Sequence, residues 1–409
     1  MNALKILIVD DDDETAELRQ LVLSAAGHAV ETLTSSVKAM EHLERTKPDL
    51  LIVDIMMPEL DGLELTKRIR QNEKLVGLKI VVMSAKAYEF DRKRAIDMGA
   101  DGFIAKSIKI ELLNEQVAKI VEDKMTLTYW GVRGTLPVPG HGSLRYGGNT
   151  PCVTVEFMSG RLLILDAGSG IKALSNHLMK LGRPRLEAKI LISHPHWDHI
   201  NALPFFVPLY IPGNEFEIMG ATQGDKTVRE IIAAQMDDVY FPITLKEFGA
   251  RIYFRDLRQE AFTIDTDIQI ETLLLSHPGY CLGYRINFKG RSICYVTDNE
   301  LYLDDHPSFN PKYVADLVKF VAGADILITD TTYFDPEYKT KVDWGHSCIS
   351  KVVELADAAR VKSLHLFHHD PDQDDDAIDR KLSTAREALT VRNSAVDCVA
   401  PAEGGVFLI

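Results

Sequence analysis

A chain of 409 residues, 46% hydrophobic and 26% charged, has the make-up of an ordinary globular protein and the length for two or three cored domains. Its net charge of −14 is shared by both parts, with 18 basic against 23 acidic residues in 1–124 and 28 against 37 in the remainder. That balance disfavours a phosphate-tracking nucleic-acid surface and gives no DNA-binding domain. No apolar run nears the roughly 18 residues of a membrane span. The N-terminus lacks a signal-peptide layout, and five scattered cysteines without a Cys-x-x-Cys pair suit a reducing compartment. The expected location is cytoplasmic.

Residues 1–124 alternate apolar strand candidates, Lys5–Asp10, Ala29–Leu33, Leu50–Ile55, Ile80–Ser84 and Gly102–Lys106, with amphipathic stretches such as Glu14–Ala26 and Leu63–Arg70. The alternation predicts a parallel sheet covered on both faces. Five such units suit a doubly wound, flavodoxin-like α/β domain with its site at the carboxyl ends of the strands. Those ends carry Asp10, Asp11, Asp54, Ser84 and Lys106. Clustered carboxylates repel one another unless a cation sits among them. Over its whole length this part resembles the receiver domain of two-component response regulators. The resemblance implies that Asp54 accepts a phosphoryl group and that Asp10, Asp11 and Asp54 hold Mg²⁺. It implies that Ser84 and Lys106 contact the phosphoryl group, that Phe103 is the switch aromatic, and that a cognate sensor histidine kinase is the partner. Ser107 departs from the family pattern, in which proline follows the lysine. Helical spacing predicts a last helix over Ile108–Lys124. Met125 then leads without a Gly/Ser/Pro linker into a strand at Thr126–Trp130, so short a join that it implies a fixed relation between residues 1–124 and 125–409.

The second part opens with glycine-rich loops, Trp130–Gly134 and Tyr146–Thr150, where backbone approaches something closely. Leu163–Leu165 is a short strand ending in Asp166. Lys189–Ile192 reads as a buried strand, and the loop after it holds His194, His196, Asp198 and His199. Imidazole and carboxylate are the ligands that Zn²⁺ and similar cations take. On a strand, alternate side chains would diverge; in a tight loop bent by Pro195 all four can converge. Later, His277 follows Thr272–Leu275, Asp298 follows Ile293–Val296, and His368 and His369 follow Leu364–Phe367. Alternation from Leu364 and Leu366 favours His368, with His369 the alternative. Asp330-Thr331-Thr332-Tyr333 and Trp344-Gly345-His346-Ser347 lie between, ahead of a predicted helix over Cys348–Ala359 that His346 is placed to cap. The run Asp374–Asp376 reads as a solvated loop.

His-x-His-x-Asp-His after a strand, with the later stations in order, resembles the metallo-β-lactamase-fold hydrolases over roughly 126–409. The glycine loops and the context of His346 resemble a phosphodiesterase-like branch of that family. The resemblance implies an αββα fold and two divalent metal ions, zinc with manganese or iron as alternatives. One would be held by His194, His196 and His277, the other by Asp198, His199 and His368, with Asp298 bridging. It implies that Asp166 orients ligands, that Asp198 and Asp298 serve catalysis, and that His346 gives a proton to the leaving oxygen or holds a phosphate oxygen. The whole chain is then expected to be a response regulator with a metal-dependent hydrolase output. Its substrate would be a small phosphodiester, a cyclic nucleotide among the candidates, and its control phosphorylation of Asp54, with room for a homodimer. Thioester, lactone or lactam hydrolysis on the same metals is the competing reading, and a non-catalytic metal-holding interaction module the third.

Overall fold

The computed structural model describes residues 3–75, 77–85, 89–157, 160–182, 185–239, 241–264 and 267–409, and the chain forms two compact units. The first is built mainly from the residues up to Met125. Its strands Lys5–Val9, Ala29–Leu33, Leu50–Asp54, Lys79–Ser84 and Gly102–Ala105 pair in parallel, in the spatial order second, first, third, fourth, fifth. The central strand Leu50–Asp54 is buried throughout, as a strand covered on both faces must be. Alternate side chains serve two cores. Leu7, Val9, Leu51 and Val53 meet Leu63 and Ile69 on one face; Ile6, Ile8, Leu50 and Ile52 meet Ala16, Leu23, Val117 and Ile120 on the other. The helices Asp13–Ala25 and Gly62–Arg70 start where Asp12 and Asp61 accept the amides of Thr15 and Glu64. The last helix is shorter than helical spacing predicts. Lys109 is extended, a 3₁₀ turn covers Ile110–Leu112, the α-helix runs Leu113–Val121, and Asp123 at φ 50° turns the chain left-handed.

The second unit contains two seven-stranded sheets. One runs Arg251–Leu257, Glu215–Ala221, Glu187–Ile192, Leu162–Leu165, Cys152–Phe157, Met125–Gly131, Val406–Leu408 in spatial order. The other runs Ala261–Ile264, Ile268–Leu274, Leu282–Phe288, Arg291–Val296, Ile326–Asp330, Ser363–Phe367, Asp397–Val399. The sheets meet face to face through aromatic side chains. Tyr129 and Tyr295 stand 6.0 and 5.7 Å from the Phe367 ring, and the Tyr284 hydroxyl donates to the Ile192 carbonyl at 2.6 Å. Helices Pro311–Val321, Ile349–Ala358 and Asp375–Val391 cover the outer face of the second sheet, setting Leu317, Val352 and Leu389 against Val296, Leu327 and Leu366. Helix Ile171–Lys180 buries Ile171, Leu174 and Leu178, with His177 against the Trp130 ring of the first sheet. The layers are therefore helix, sheet, sheet, helix. Each fully buried aliphatic side chain contributes about 1.5–3 kcal/mol. That packing holds the strand ends still enough to carry a site.

The acidic run Asp374–Asp376 is not a solvated loop. Asp374 caps the last long helix by accepting the Ala377 amide at 2.7 Å, and Asp375, 5% exposed, accepts the Arg145 amide at 2.7 Å and Arg133 Nη2 at 3.3 Å. Two arginines draw Asp375 inward, while Asp374 and Asp376 stay exposed at the helix N-terminus. Among the described residues no helix is long and apolar enough to cross a membrane.

Candidate metal centre

The strands Ile268–Leu274, Arg291–Val296, Ile326–Asp330 and Ser363–Phe367 point the same way through the ladder. Their carboxyl ends therefore share a rim, and the loop after Glu187–Ile192 meets it. Donor atoms of His194, His196, His277 and Asp298 lie within 4.8 Å of one another, and so do those of Asp198, His199, Asp298 and His368. Asp298 belongs to both sets. Its Oδ2 stands 3.5 Å from His194 Nε2 and 3.8 Å from His277 Nε2; its Oδ1 stands 3.3 Å from His199 Nε2 and 3.1 Å from His368 Nε2. Asp198 Oδ2 is 3.2 Å from His199 Nε2 and 3.1 Å from His368 Nε2. These spacings match the edge of about 3.4 Å that a tetrahedral site has when its bonds are about 2.1 Å.

The second nitrogen of most of these rings is spoken for, which fixes the tautomer of the first. His277 Nδ1 donates to the Gly345 carbonyl at 2.9 Å, so its Nε2 offers a lone pair, and that lone pair faces His196 Nδ1 at 3.1 Å. His199 Nδ1 lies 2.7 Å from Asp166 Oδ2, and His368 Nδ1 lies 3.2 Å from the Thr332 hydroxyl. His194 Nε2 and His199 Nε2 are buried and make no hydrogen bond, although carboxylate oxygens stand 3.2–3.5 Å away. Orphaned buried nitrogens cost free energy unless a cation lies between them and the carboxylates. The donor set fits two divalent ions.

The electrostatics agree. Burial opposes charge on His199, yet the carboxylates of Asp198, Asp298 and Asp166 push its pKa well above the imidazole range. Burial opposes ionisation of Asp198 too, and His199 and His368 still hold it well below the carboxylate range. Three buried carboxylates around one ring call for positive charge, which a divalent cation supplies.

Asp166 is the hub beneath. Fully buried, it accepts the Ser193 amide at 2.7 Å, the Ser193 hydroxyl at 2.8 Å and the Tyr295 hydroxyl at 2.7 Å, besides holding His199. Asp166, Asp298 and His368 all adopt positive φ, 59°, 39° and 58°. Left-handed backbone costs a non-glycine residue about 1 kcal/mol or more. It turns a side chain at a strand end back over the rim. His368 enters the centre this way. His369 does not: its Nδ1 lies 3.3 Å from the buried Lys381 ammonium, whose pKa burial pulls down to about 7. The loop after Trp130 closes the centre. The Thr135 amide donates to Asp198 Oδ2 at 2.8 Å, and a Cβ on Gly134 would lie 2.3 Å from the His368 ring.

His346 does not cap the helix that follows, whose first position is taken by Cys348. Its Nδ1 lies 2.6 Å from Asp330 Oδ2, and its ring stacks on His368 at 4.9 Å and stands 5.4 Å from His277. Burial disfavours its charge, but Asp330, with Asp298 and Asp198 behind, raises its pKa to about 9. Sequence reasoning missed Asp330 as its partner. It also missed Glu300, buried, which accepts the amides of Asp343 and Gly345 at 2.9 and 2.8 Å and the Tyr338 hydroxyl at 2.7 Å.

In the first unit the acidic residues at the strand ends also gather. Donor oxygens of Asp10, Asp11 and Asp54 lie within 4.8 Å of one another. Lys106 Nζ is 3.0 Å from Asp54 Oδ1 and 3.1 Å from Asp10 Oδ2. Burial raises the Asp54 pKa, against the pull of Lys106. Ser84 is buried at the end of the neighbouring strand, and Phe103 packs half-buried on the core. Arg19, also missed, is buried on the first helix with Nη1 2.5 Å from Asp10 Oδ2.

A family model for the response regulator receiver domain matches residues 6–118, and a model for the beta-lactamase superfamily domain matches residues 161–369, half of the chain. The alkaline phosphatase synthesis transcriptional regulatory protein PhoP of Bacillus subtilis is 37% identical over 117 residues, 29% of this chain and 48% of that protein. Response regulator MprA of Mycobacterium leprae is 35% identical over 118 residues, 29% of this chain and 51% of that protein. The chain thus spans about half the length of the curated relatives it matches. The metallo-beta-lactamase fold protein YhfI from Bacillus subtilis superposes with a TM-score of 0.50 at 18% identity, covering 70% of this chain and 100% of that chain, a likeness of fold.

Proposed function

Because the chain belongs to the beta-lactamase superfamily and carries a response regulator receiver domain ahead of that match, we propose that it is a response regulator whose output is a binuclear metal-dependent hydrolase of a small phosphodiester. Residues 1–124 form the receiver and residues 125–409 the hydrolase. The observation that carries the reading is Asp298 turned between two donor sets with His346 beside both. His194, His196 and His277 would hold one ion, Asp198, His199 and His368 the other. Bound there, two divalent ions would supply a water activated near neutral pH and charge to stabilise both oxygens of an in-line displacement.

The chain's own residues do the rest. Asp198, fixed by the Thr135 amide, orients the nucleophile's side of the centre. His346 carries its Nδ1 proton toward Asp330, which leaves Nε2 to give a proton to the departing oxygen. An alkoxide needs that proton; a thiolate does not, and thioester cleavage would leave the His346–Asp330 pair without a task. In the receiver, Asp54 takes the phosphoryl group from a cognate histidine kinase, with Mg²⁺ on Asp10, Asp11 and Asp54, and Lys106 and Ser84 hold its oxygens. Phe103 reports the change, which alters turnover or self-association.

One experiment addresses both parts. The zinc- or manganese-loaded full chain should hydrolyse bis(p-nitrophenyl) phosphate and leave an acetyl thioester and a β-lactam intact; the reverse preference sinks the phosphodiester reading. Acetyl phosphate should change turnover or molecular mass in wild type and not in Asp54→Asn. No response in wild type removes the control by Asp54.

A further inference from the structure

Two tryptophans adjoin residues of the candidate centre in the chain and leave much of their surface in solvent. Trp197 is 82% exposed and Trp344 is 57% exposed. Isolated exposed apolar residues need no explanation. These two are not isolated from the site. Each is the chain neighbour of a group in contact with one ring nitrogen of His277. Trp197 follows His196, whose Nδ1 lies 3.1 Å from His277 Nε2; Trp344 precedes Gly345, whose carbonyl accepts from His277 Nδ1 at 2.9 Å. Leu136, 60% exposed, follows Thr135, whose amide holds Asp198, and Tyr280, 52% exposed, lies three residues after His277. Exposed apolar and aromatic residues thus stand next in the chain to members of the donor sets and to the groups that hold them.

The backbone beneath Trp344 is fixed although its ring is not packed. Glu300 holds the amides on both sides of it, at Asp343 and Gly345, and those residues adopt φ 68° and 84°. A Cβ on Gly345 would lie 2.2 Å from His277 Nδ1, so the loop sits directly on the ligand ring. Lys341 Nζ stands 4.3 Å from the centre of the Trp344 ring, a cation–π contact that orients the indole and sets one positive charge beside it. Trp197 opens the short helix Trp197–Ile200, and its carbonyl accepts the Asn201 amide at 2.7 Å. The Trp197 indole is left largely in water and the Trp344 indole keeps more than half of its surface there, yet both are presented on ordered backbone.

We propose that Trp344 and Trp197 are specificity-determining residues that stack a planar ring of the substrate, so that the preferred diester carries a nucleobase or another aromatic group. The inference rests on the phosphodiester reading. With the phosphorus at the donor sets, whatever the ester oxygens carry must lie over this rim. Rings stack on indole whatever their sequence identity, because every base has a π-face. Lys341 adds attraction for a carbonyl or a second anionic group.

The test reads binding apart from turnover. Isothermal titration of the metal-loaded full chain gives affinities for adenosine 5′-monophosphate and methyl phosphate, which share the phosphate and differ in the ring. Wild type should prefer the nucleotide by about 10- to 100-fold, the scale of one base–aromatic stack. Trp344→Ala and Trp197→Ala should each shrink that preference, and Trp344→Phe should retain most of it. Equal affinity for both ligands in wild type, or an unchanged preference in both alanine variants, overturns the proposal. So would loss of binding to lipid vesicles in Trp344→Ala with nucleotide preference intact, which would assign the rim to a membrane surface. If bis(p-nitrophenyl) phosphate is not hydrolysed but the nucleotide preference is present and tryptophan-dependent, the reaction assignment fails and the aromatic subsite stands.

Discussion

Asp298→Ala should leave the protein with well under two divalent ions per chain and lower diester turnover by about 10³-fold or more. One carboxylate serves both donor sets, Oδ2 toward His194 and His277, Oδ1 toward His199 and His368. Its loss removes an anionic ligand from each and leaves those nitrogens facing one another. Charge stabilisation by bound metal is worth several kcal/mol, and each 1.36 kcal/mol is tenfold in rate. Metal analysis of purified protein, alongside turnover, checks the expectation. A variant with two ions and undiminished turnover would remove the bridging role.

His346→Ala should cut turnover of a diester with a poor leaving group by about 10²- to 10⁴-fold, the usual scale of general acid catalysis, with metal content unchanged. His346 bonds to Asp330, and although its donor atom lies within 4.8 Å of those of Asp298 and His368, its removal takes no member from either set. The loss should fade for a dinitrophenyl leaving group, whose oxygen departs without a proton. An equal loss across leaving groups would assign His346 to shaping the pocket, and depleted metal would assign it to ligation.

The strand ends that carry ligand-type residues were legible because each follows an apolar run: His194, Asp298 and the final histidine pair stand just past largely buried strands, and His277 past one that alternates buried and exposed. The choice between the last two histidines shows the limit. Alternation favours His368, but the strand ends at Phe367, and what brings His368 inward is its left-handed backbone. Alternation points to His368 along the strand, whereas the fold sets it beside the other donor atoms through its backbone turn. Asp330 was seen only as part of a station, since a carboxylate at a strand end looks alike whether it binds metal or a neighbouring histidine. Glu300 was invisible because its partners are amides of a turn forty-odd residues on. Arg19 sits on an amphipathic helix, where arginine ordinarily marks the solvent face; only the fold shows it buried on Asp10. The last receiver helix came out short because apolar spacing continues past the point where Lys109 and Asp123 leave helical backbone.

The two donor sets draw their members from both sheets: four from the loop after Glu187–Ile192, three from strand ends of the other sheet. His194 and His277 are 83 positions apart, and Asp198 and His368 are 170 apart. Each ion would thus act as a cross-link closing a long loop of chain, and a link closing about 100 residues is worth about 4–5 kcal/mol in the chain-entropy account. Chelation should lower the unfolding temperature by several degrees or more, read by calorimetry with and without a strong chelator; an unchanged midpoint would show that the sheets hold without it. Metal supply would then set how long the folded chain persists as well as how fast it works, and a shortage would expose the protein to proteolysis before it merely idled.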